Sequence, residues 1–313
     1  MSDTSSLVTL SGQPTSGLCF GCMQFGGTAS QTDSRAMFDA CREAGLNFFD
    51  TAHVYTDGQS EEMLGHFAAQ DRDALLLATK VAYTGGSGRD NILGQFEDCR
   101  RRLDLETVDV LYLHRWDPDT ALDESFDALS QLQETGQVRY IGVSNFAAWQ
   151  VMKAQAVAAR FGTRIDIIQP MYSLVKRQAE VELFSMALSE NIAVASYSPL
   201  GGGLLTGKYH AGHTGRLTTD SRYAARYGQD WMHQAANAFA QMAKDKGYHP
   251  ATLAVAWAAA HDAVTAPIIS ARNLDQLAPS LAAQDLVLST DDYQAIAALT
   301  PQPAPATDRL EEG

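Results

Sequence analysis

The sequence has 313 residues, of which 45% are hydrophobic, and this composition supports a large folded core. Its 37 acidic residues against 23 basic ones give a formal charge of −14, which disfavours nucleic acids and anionic membranes as partners. We expect a cytoplasmic protein, because the N-terminus does not resemble a signal peptide, no apolar run has the length of a membrane span, and cysteines are few.

Strand-like and helix-like segments alternate along the whole sequence. Strands are predicted near residues 17–22, 46–50, 75–80, 108–113, 138–143, 165–169, 192–197 and 265–269. Amphipathic stretches, which predict helices, lie at 33–44, 59–70, 89–103, 122–135, 147–161, 178–190, 250–260 and 273–283. A further helix is predicted to begin at Ser289, which has the side chain of a helix cap.

Eight strand–helix units predict a single domain over residues 1–313, an α/β fold of the (β/α)8 TIM-barrel type. A short N-terminal segment would cap the barrel, and a long loop would follow strand 7. That loop, from Tyr209 to about Trp231, is polar, and loops of this length are usually functional. Its arginines, Arg216, Arg222 and Arg226, suit a phosphate clamp. An open doubly wound sheet is the alternative fold, but it usually has fewer strands.

Cys19 and Cys22 have the spacing of a redox motif. They lie in a predicted strand, however, and strand geometry sends residues i and i+3 to opposite faces. We therefore expect two buried, unpaired thiols.

Polar residues stand at the ends of consecutive predicted strands, where active sites of parallel barrels lie. Asp50 ends the second strand, Tyr55 follows it, Lys80 ends the third strand, and His114 follows the fourth. These groups suit carbonyl reduction: Tyr55 would donate a proton, Lys80 would lower the pKa of the phenol, and Asp50 would hold Lys80 in place. His114 would polarise the carbonyl. Each residue taken alone also fits an ordinary structural role, as an ion pair, a loop aromatic or a core histidine.

In eight stretches the sequence resembles the aldo-keto reductase family. The matching stretches are 21–27 (GCMQFGG), 49–55 (FDTAHVY), 77–80 (LATK), 109–114 (DVLYLH), 140–146 (YIGVSNF), 168–172 (IQPMY), 197–208 (YSPLGGGLLTGK) and 267–272 (PIISAR). The resemblance implies reduction of an aldehyde or ketone with NADPH in a TIM barrel. It also implies the same catalytic roles for Asp50, Tyr55, Lys80 and His114.

The resemblance further implies a nicotinamide cofactor site. Its expected residues are Gly21, Cys22, Met23, Asp50, Ser144, Asn145, Gln169, Tyr197, Ser198, Pro199, Leu200, Gly201, Gly202, Lys208, Ser270, Arg272, Gln276 and Ser280. Tyr197 would stack on the nicotinamide, and Ser144, Asn145 and Gln169 would bind its carboxamide. Ser280 stands where the family commonly has asparagine, which puts the adenine contact in doubt.

Arg272 opens a helix after the eighth predicted strand, and its planar donors suit the 2′-phosphate of NADPH rather than NADH. A surface ion pair with Asp275 is the alternative for Arg272. Residues 202–208 match part of a phosphate-binding loop, but Tyr209 replaces the serine or threonine that binds magnesium, so ATP is not expected. No metal is expected either, because the His114–Asp119 stretch lacks a convergent ligand set and Asp117 suits a turn.

The expected partner is a small-molecule carbonyl substrate. His53, Trp116 and Tyr172 border the predicted pocket and would suit a sugar or another hydroxylated aldehyde. Two other functions remain open. One is a regulatory or interaction protein that resembles the channel-associated β subunits of this family. The other is a barrel lyase or isomerase that uses Lys80 as a Schiff-base amine.

Overall fold

The structure is a computed structural model that describes residues 7–209, 214–309 and 311. Its centre is a sheet of parallel strands in the order β7-β6-β5-β4-β3-β2-β1-β8. The strands are β1 Cys19–Gly21, β2 Phe48–Asp50, β3 Leu76–Val81, β4 Val108–Leu113, β5 Val138–Ser144, β6 Ile167–Gln169, β7 Ala193–Val194 and β8 Ile268–Ile269. Each matches a predicted strand, although β1, β2, β6, β7 and β8 are shorter than predicted.

Backbone hydrogen bonds between the segments of β7 and β8 close the sheet on itself. Ile268 N donates to Ser196 O at 2.7 Å, and Thr265 N donates to Val194 O at 2.9 Å. Each of these bonds joins a residue of one short strand to the segment that adjoins the other strand. The prediction of a (β/α)8 barrel is confirmed.

Helices surround the barrel. They are α1 Gln31–Glu43, α2 Gln59–Ala68, α3 Arg89–Leu103, α4 Leu122–Glu134, α5 Ala148–Ala158, α6 Leu183–Ser189, α7 Arg216–Thr219, α8 Ser221–Tyr227, α9 Asp230–Asp245, α10 Pro250–Ala259, α11 Leu274–Leu281 and α12 Thr290–Ala297. The predicted helix 178–190 is split, because a 3-10 turn at Gln178–Glu180 precedes α6.

The long connection after β7 contains helices that the sequence analysis did not identify. It holds the short helices α7 and α8, and α9 begins at its end. The buried residues of α9 include Met232, Ala235, Phe239 and Ala243, which recur at helical spacing. That periodicity was present in the sequence and should have predicted the helix.

The core has two layers because side chains alternate along each strand. Phe48 belongs to the cluster inside the barrel and Phe49 to the cluster between strands and helices. Cys19 and Cys22 fall in these two different clusters, as strand geometry predicts, and both are buried free thiols. The interior cluster also includes Leu7, so the start of the described chain packs against the inside of the barrel.

The N-terminal segment caps one end of the barrel, as predicted. Val8 pairs with Pro14 in an antiparallel bridge, and Val8 N donates to the Tyr140 hydroxyl at 3.3 Å. Nearby, Arg139 Nη2 donates to Thr9 O at 3.3 Å. These contacts fasten the segment to β5.

A buried carboxylate on β4 ties neighbouring strands together. Asp109 is fully buried and accepts the backbone N–H of Leu77 at 2.8 Å. Its oxygens also pair with Arg72 at 2.8 Å and with Arg139 at 2.5 Å. The two guanidinium groups compensate the cost of burying this charge.

Candidate active site

The four predicted catalytic residues lie at the carboxyl ends of three adjacent strands. Asp50 ends β2, Lys80 is the penultimate residue of β3, and His114 directly follows β4. Tyr55 opens a 3-10 turn in the connection after β2. Since β2, β3 and β4 are neighbours in the barrel, the structure brings these side chains together.

Lys80 is the centre of this cluster. Its side chain is fully buried, and Nζ donates to Asp50 Oδ2 at 2.5 Å, to Thr51 O at 2.7 Å and to the Tyr55 hydroxyl at 3.4 Å. The other oxygen of Asp50 accepts Gln169 Nε2 at 2.8 Å. An ammonium has three N–H groups, and here each one points at an acceptor.

The Asp50–Lys80 contact is a charged pair in a dry environment. Burial lowers the pKa of Lys80, but the Asp50 carboxylate and Tyr55 outweigh burial, so the net pKa lies above the usual value. Burial likewise raises the pKa of Asp50, whereas Lys80 and the Gln169 amide oppose that rise. Lys80 therefore keeps its positive charge beside the Tyr55 hydroxyl.

The pKa of Tyr55 shows a balance that the sequence analysis did not foresee. Lys80 lowers this pKa, as predicted, but burial raises it more, and the net pKa lies above the usual value of 10.0. The phenol is therefore protonated at neutral pH, which is the form that a proton donor needs. Lys80 stabilises the phenolate once the proton has left.

His114 faces Tyr55 and is neutral. The two rings meet edge to face with their centroids 5.8 Å apart. Burial, with the charges of Lys80 and Arg115, lowers the pKa of His114 to about 3. Among the described residues, Nδ1 of His114 has no hydrogen-bond partner. A neutral imidazole that carries one N–H can donate a hydrogen bond to a carbonyl oxygen.

The residues expected to bind the carboxamide form a network with each other. Asn145 Nδ2 donates to His114 O at 2.9 Å and to Ser144 Oγ at 3.1 Å, and Ser144 Oγ donates to Gln169 O at 3.0 Å. The Tyr197 hydroxyl donates to Asn145 Oδ1 at 2.7 Å, which fixes the ring. Ser144, Asn145 and Gln169 therefore already have hydrogen-bond partners within the protein, in addition to the carboxamide that they would bind.

A turn after β7 carries five of the predicted cofactor residues, from Ser198 through Pro199, Leu200 and Gly201 to Gly202. Ser198 has a φ of 62°, and Gly201 and Gly202 have φ of 56° and 65°, a left-handed run that side chains rarely adopt. Strained backbone of this kind is common at ligand sites. Lys208 lies over this turn, since its Nζ would be 3.0 Å from a Cβ placed at Gly203.

Helix α8 lies against the same turn. A Cβ at Gly202 would approach the rings of Tyr223 and Tyr227 at 3.0 Å. Arg226 stacks over Tyr223 at 5.3 Å, and Arg222 pairs with Asp220 at 2.9 Å. The side chain of the third predicted clamp residue, Arg216, lies outside the described residues.

Ser270, Arg272 and Gln276, expected at the adenosine end of the cofactor, follow β8, and the predicted cofactor residue Gly21 on β1 lies beside Ser270. A Cβ at Gly21 would lie 3.8 Å from Ser270 Cβ and 2.8 Å from Ile268, so the strands leave no room for a side chain there. Arg272 is exposed, and its backbone N–H donates to Gln276 Oε1 at 3.4 Å. No ion pair reaches Arg272 from the described part of the chain, so the alternative pairing with Asp275 is not formed.

Two serines near this end and two residues of the first turn complete the predicted set. Ser270 Oγ and Ser280 Oγ are buried, and neither has a hydrogen-bond partner among the described residues. Unpaired buried hydroxyls are uncommon and suit a polar ligand. Cys22 is buried, and its N–H donates to Asp50 O at 2.8 Å, whereas Met23 is half-buried.

The three predicted substrate-pocket residues do not lie together. Tyr172 is fully buried, stacks on Trp257 and donates to Glu180 Oε1 at 2.8 Å, so it is a core residue. The His53 ring is turned to α3, with Nε2 3.6 Å from Asp98 Oδ2. The prediction that Tyr172 borders the pocket is therefore not supported, whereas Trp116, which lies two residues after His114, packs against Phe146 and Trp149.

The sequence analysis missed an aromatic residue and a basic residue near His114, and two aromatic partners of Trp116. The Tyr83 ring lies 4.8 Å from the His114 ring, and the Arg115 guanidinium lies 5.1 Å from the Tyr83 ring. Trp116 contacts Phe146 at 5.3 Å and Trp149 at 5.6 Å between ring centroids. Tyr83, Arg115 and Phe146 each lie just after the end of β3, β4 or β5, so the rule that selected Lys80 and His114 could have selected them too, whereas Trp149 lies in α5.

Two further findings concern metals and membranes. Within residues 7–209, 214–309 and 311, no group of three or more histidine, cysteine, aspartate or glutamate side chains is placed to hold a metal ion. In the same residues, no helix has the length and apolar character needed to cross a membrane.

Comparison with known proteins gives consistent matches. The model of the Aldo/keto reductase family matches residues 17–301. A probable voltage-gated potassium channel subunit beta from Oryza sativa subsp. japonica is 31% identical over 88% of this chain and 90% of its own length. The uncharacterized oxidoreductase YrpG of Bacillus subtilis (strain 168) is 31% identical over 93% of this chain and 94% of its own. Aflatoxin B1 aldehyde reductase member 2 of Rattus norvegicus is 32% identical over 71% of this chain and 62% of its own.

Proposed function

Because the chain belongs to the aldo/keto reductase family, a family that includes oxidoreductases, we propose that it reduces the carbonyl group of an aldehyde or ketone with NADPH. Tyr55 is the proposed general acid. The observation that carries this proposal is the set of three hydrogen bonds by which buried Lys80 joins Asp50, Thr51 O and the Tyr55 hydroxyl.

The proton step follows from this geometry. Reduction of a carbonyl places negative charge on its oxygen, and a nearby O–H must donate a proton as that charge develops. Tyr55 holds its proton at neutral pH because burial raises its pKa. When Tyr55 gives up the proton, the ammonium of Lys80 stabilises the phenolate, and Asp50 keeps the ammonium charged and in place.

His114 would orient the substrate. Its pKa of about 3 means that the ring is neutral at physiological pH, so it adds no second cation beside Lys80. Its ring meets Tyr55 edge to face, which lets both groups approach one carbonyl oxygen. Two donors aimed at the same oxygen stabilise the charge that develops there.

The residues around the cluster fit a nicotinamide cofactor. Tyr197 presents a ring fixed by Asn145, and Gly201 and Gly202 add no side chains of their own to the turn after β7. Arg272 has no ion-pair partner among the described residues of an acidic protein. The buried hydroxyls of Ser270 and Ser280 can bond to its adenosine end. When bound, the reduced nicotinamide supplies the hydride.

The geometry opposes a Schiff-base mechanism. A lysine that attacks a carbonyl must be a neutral amine with a free lone pair. Lys80 has its pKa raised by Asp50, and each of its N–H groups is directed at an acceptor. Borohydride should therefore trap no covalent adduct on Lys80.

A regulatory role is the second candidate, because the chain resembles a probable potassium channel subunit beta from Oryza sativa subsp. japonica. The two candidates differ in turnover. We expect oxidation of NADPH, followed at its absorbance maximum, in the presence of a panel of simple aldehydes and ketones. Cofactor that binds without turnover of any carbonyl would favour the regulatory role instead.

A further inference from the structure

We propose that Arg115 and Tyr83 form an anion-binding subsite beside His114, so that the substrate is an aldehyde or ketone that also carries a carboxylate. The inference rests on the proposed reductase function and names its substrate class. In the rest of this subsection, the anion subsite means Arg115 and Tyr83.

The anion subsite is linked to the catalytic imidazole by two ring contacts. The Tyr83 ring centroid lies 4.8 Å from that of His114, and the Arg115 guanidinium carbon lies 5.1 Å from the Tyr83 centroid. A guanidinium that stacks on an aromatic face keeps its N–H donors, which point outward in the plane of the group. Arg115 therefore stands one side chain away from the proposed position of the carbonyl, with donors available.

Arg115 has no acidic partner among the residues that the structure describes, although the chain carries 37 acidic residues against 23 basic ones. The nearest acidic residue in sequence, Asp117, is occupied elsewhere. It accepts the Thr120 hydroxyl at 2.6 Å and the Ser87 N–H at 2.8 Å. The exposed guanidinium is thus left to pair with an external anion.

The residues around the anion subsite indicate what kind of group joins the carboxylate to the carbonyl. Trp116 directly follows Arg115 and stacks edge-on with Phe146 and with Trp149, which is 60% exposed. These aromatic faces suit a substrate whose main part is apolar or aromatic. The polar residues that suggested a sugar do not support one, because His53 faces α3 and Tyr172 is in the core. An aromatic aldehyde with a carboxylate opposite the carbonyl matches both the guanidinium of Arg115 and the aromatic side chains around Trp116.

The test compares 4-carboxybenzaldehyde with its methyl ester, methyl 4-formylbenzoate, which has the same ring and aldehyde but no charge. The measured quantity is the ratio of kcat/KM for the acid to kcat/KM for the ester, with NADPH. We expect a ratio above one in the unchanged protein. In Arg115→Gln the ratio should fall about tenfold or more, through KM for the acid, since a charged hydrogen bond is lost.

Two further variants distinguish the effect of the charge at Arg115 from the general effect of removing an exposed arginine. Arg115→Lys should recover part of the ratio, because the positive charge returns without the planar fork. Arg35→Gln removes an exposed arginine that pairs with Asp39 on α1, and its ratio should equal that of the unchanged protein. Added salt should lower the ratio in the unchanged protein and not in Arg115→Gln.

A binding measurement distinguishes failure of this inference from failure of the proposed function. Quenching of tryptophan fluorescence reports binding of both probes without turnover, because Trp116 directly follows Arg115 in the chain. If neither probe nor any carbonyl of the panel is reduced but the acid binds about tenfold more tightly in an Arg115-dependent way, the subsite stands and the reductase proposal fails. Equal kcat/KM for acid and ester, or a ratio that Arg115→Gln leaves unchanged, overturns the subsite.

Discussion

Lys80 Nζ lies 3.4 Å from the Tyr55 hydroxyl, and this is the longest of its three hydrogen bonds. The shorter bonds to Asp50 and Thr51 O hold the ammonium, so its position does not depend on Tyr55. Lys80 is therefore poised to strengthen its contact with Tyr55 when the phenol becomes a phenolate.

The first prediction concerns Tyr55→Phe, which keeps the ring and removes the hydroxyl. Turnover of a simple aldehyde should fall by about two to four orders of magnitude, the usual contribution of general acid catalysis. NADPH binding, measured by fluorescence titration, should be retained because the ring still fills its place. Near-normal turnover would show that Tyr55 is not the acid.

The second prediction concerns the pKa of Tyr55. Burial holds this pKa above 10.0 while Lys80 lowers it, so Lys80→Met should raise it further. The readout is the phenolate absorbance of the folded protein against pH, with Tyr55→Phe as the blank. Lys80→Met leaves Asp50 buried without its cation, so the double variant Lys80→Met/Asp50→Asn serves as the folded control. A Tyr55 pKa that is unchanged in both variants would refute the electrostatic role of Lys80.

The third prediction concerns acid stability and His114. The pKa of His114 is about 3 in the folded protein, against 6.5 when unperturbed. As the pH falls below 6.5, the unfolded chain takes up the proton first, so the free energy of unfolding decreases toward pH 3. The contribution of neutral His114 to the free energy of unfolding is fully present above pH 6.5 and is lost as the pH falls toward 3.

Urea unfolding of the unchanged protein and of His114→Gln at pH 7 and pH 4 tests this. Between these two pH values the unchanged protein should lose roughly 2–3 kcal/mol more stability than His114→Gln. Equal losses in the two proteins would mean that His114 is not held neutral by burial.

The sequence was sufficient to predict the barrel and the meeting of Asp50, Lys80 and His114 at one end of it, for a physical reason. Strand periodicity and strand ends are local features, and the fold then places the ends of β2, β3 and β4 side by side. Reasoning from strand ends therefore brought Asp50, Lys80 and His114 together with no knowledge of distances.

What the sequence did not reveal depended on side-chain direction and burial. Tyr172 comes shortly after β6, as His114 comes directly after β4, yet the Tyr172 ring turns into the core against Trp257. Burial raises the pKa of Tyr55 and Lys80 lowers it, and no sequence pattern shows which of these two effects is larger. The assignment of residues 1–313 to one domain and the roles of the cofactor residues stay predictions.

The fourth prediction concerns Asp109, the buried carboxylate between Arg72 and Arg139. Asp109→Ala removes both ion pairs and the acceptor for Leu77 N, and leaves two partly buried cations without compensation. The free energy of unfolding should fall by about 3–5 kcal/mol. The matched control is Asp127→Ala, which breaks the exposed pair with Arg89 and should cost less than about 1 kcal/mol. Urea unfolding measures both, and equal losses would contradict the assigned role.

The last prediction is a preference for NADPH over NADH through Arg272. Arg272 is exposed just before α11, close to Ser270, whose buried hydroxyl has no partner among the described residues. The alternative pairing of Arg272 with Asp275 is not formed in the described structure, so its guanidinium is available to a phosphate. NADH lacks the 2′-phosphate and would gain little from this charge.

Arg272→Ala should raise the dissociation constant for NADPH about tenfold or more, because a charged hydrogen bond contributes about 1.5–3 kcal/mol. The dissociation constant for NADH should hardly change, since the variant removes a contact that only the 2′-phosphate makes. Isothermal titration with both cofactors measures this, and Arg35→Ala, an exposed arginine on α1, controls for loss of positive charge from an acidic protein. If Arg272→Ala weakens both cofactors equally, the residue acts on the shared part of the cofactor or on the fold. If the unchanged protein binds NADH more tightly than NADPH, Arg272 does not select the phosphate.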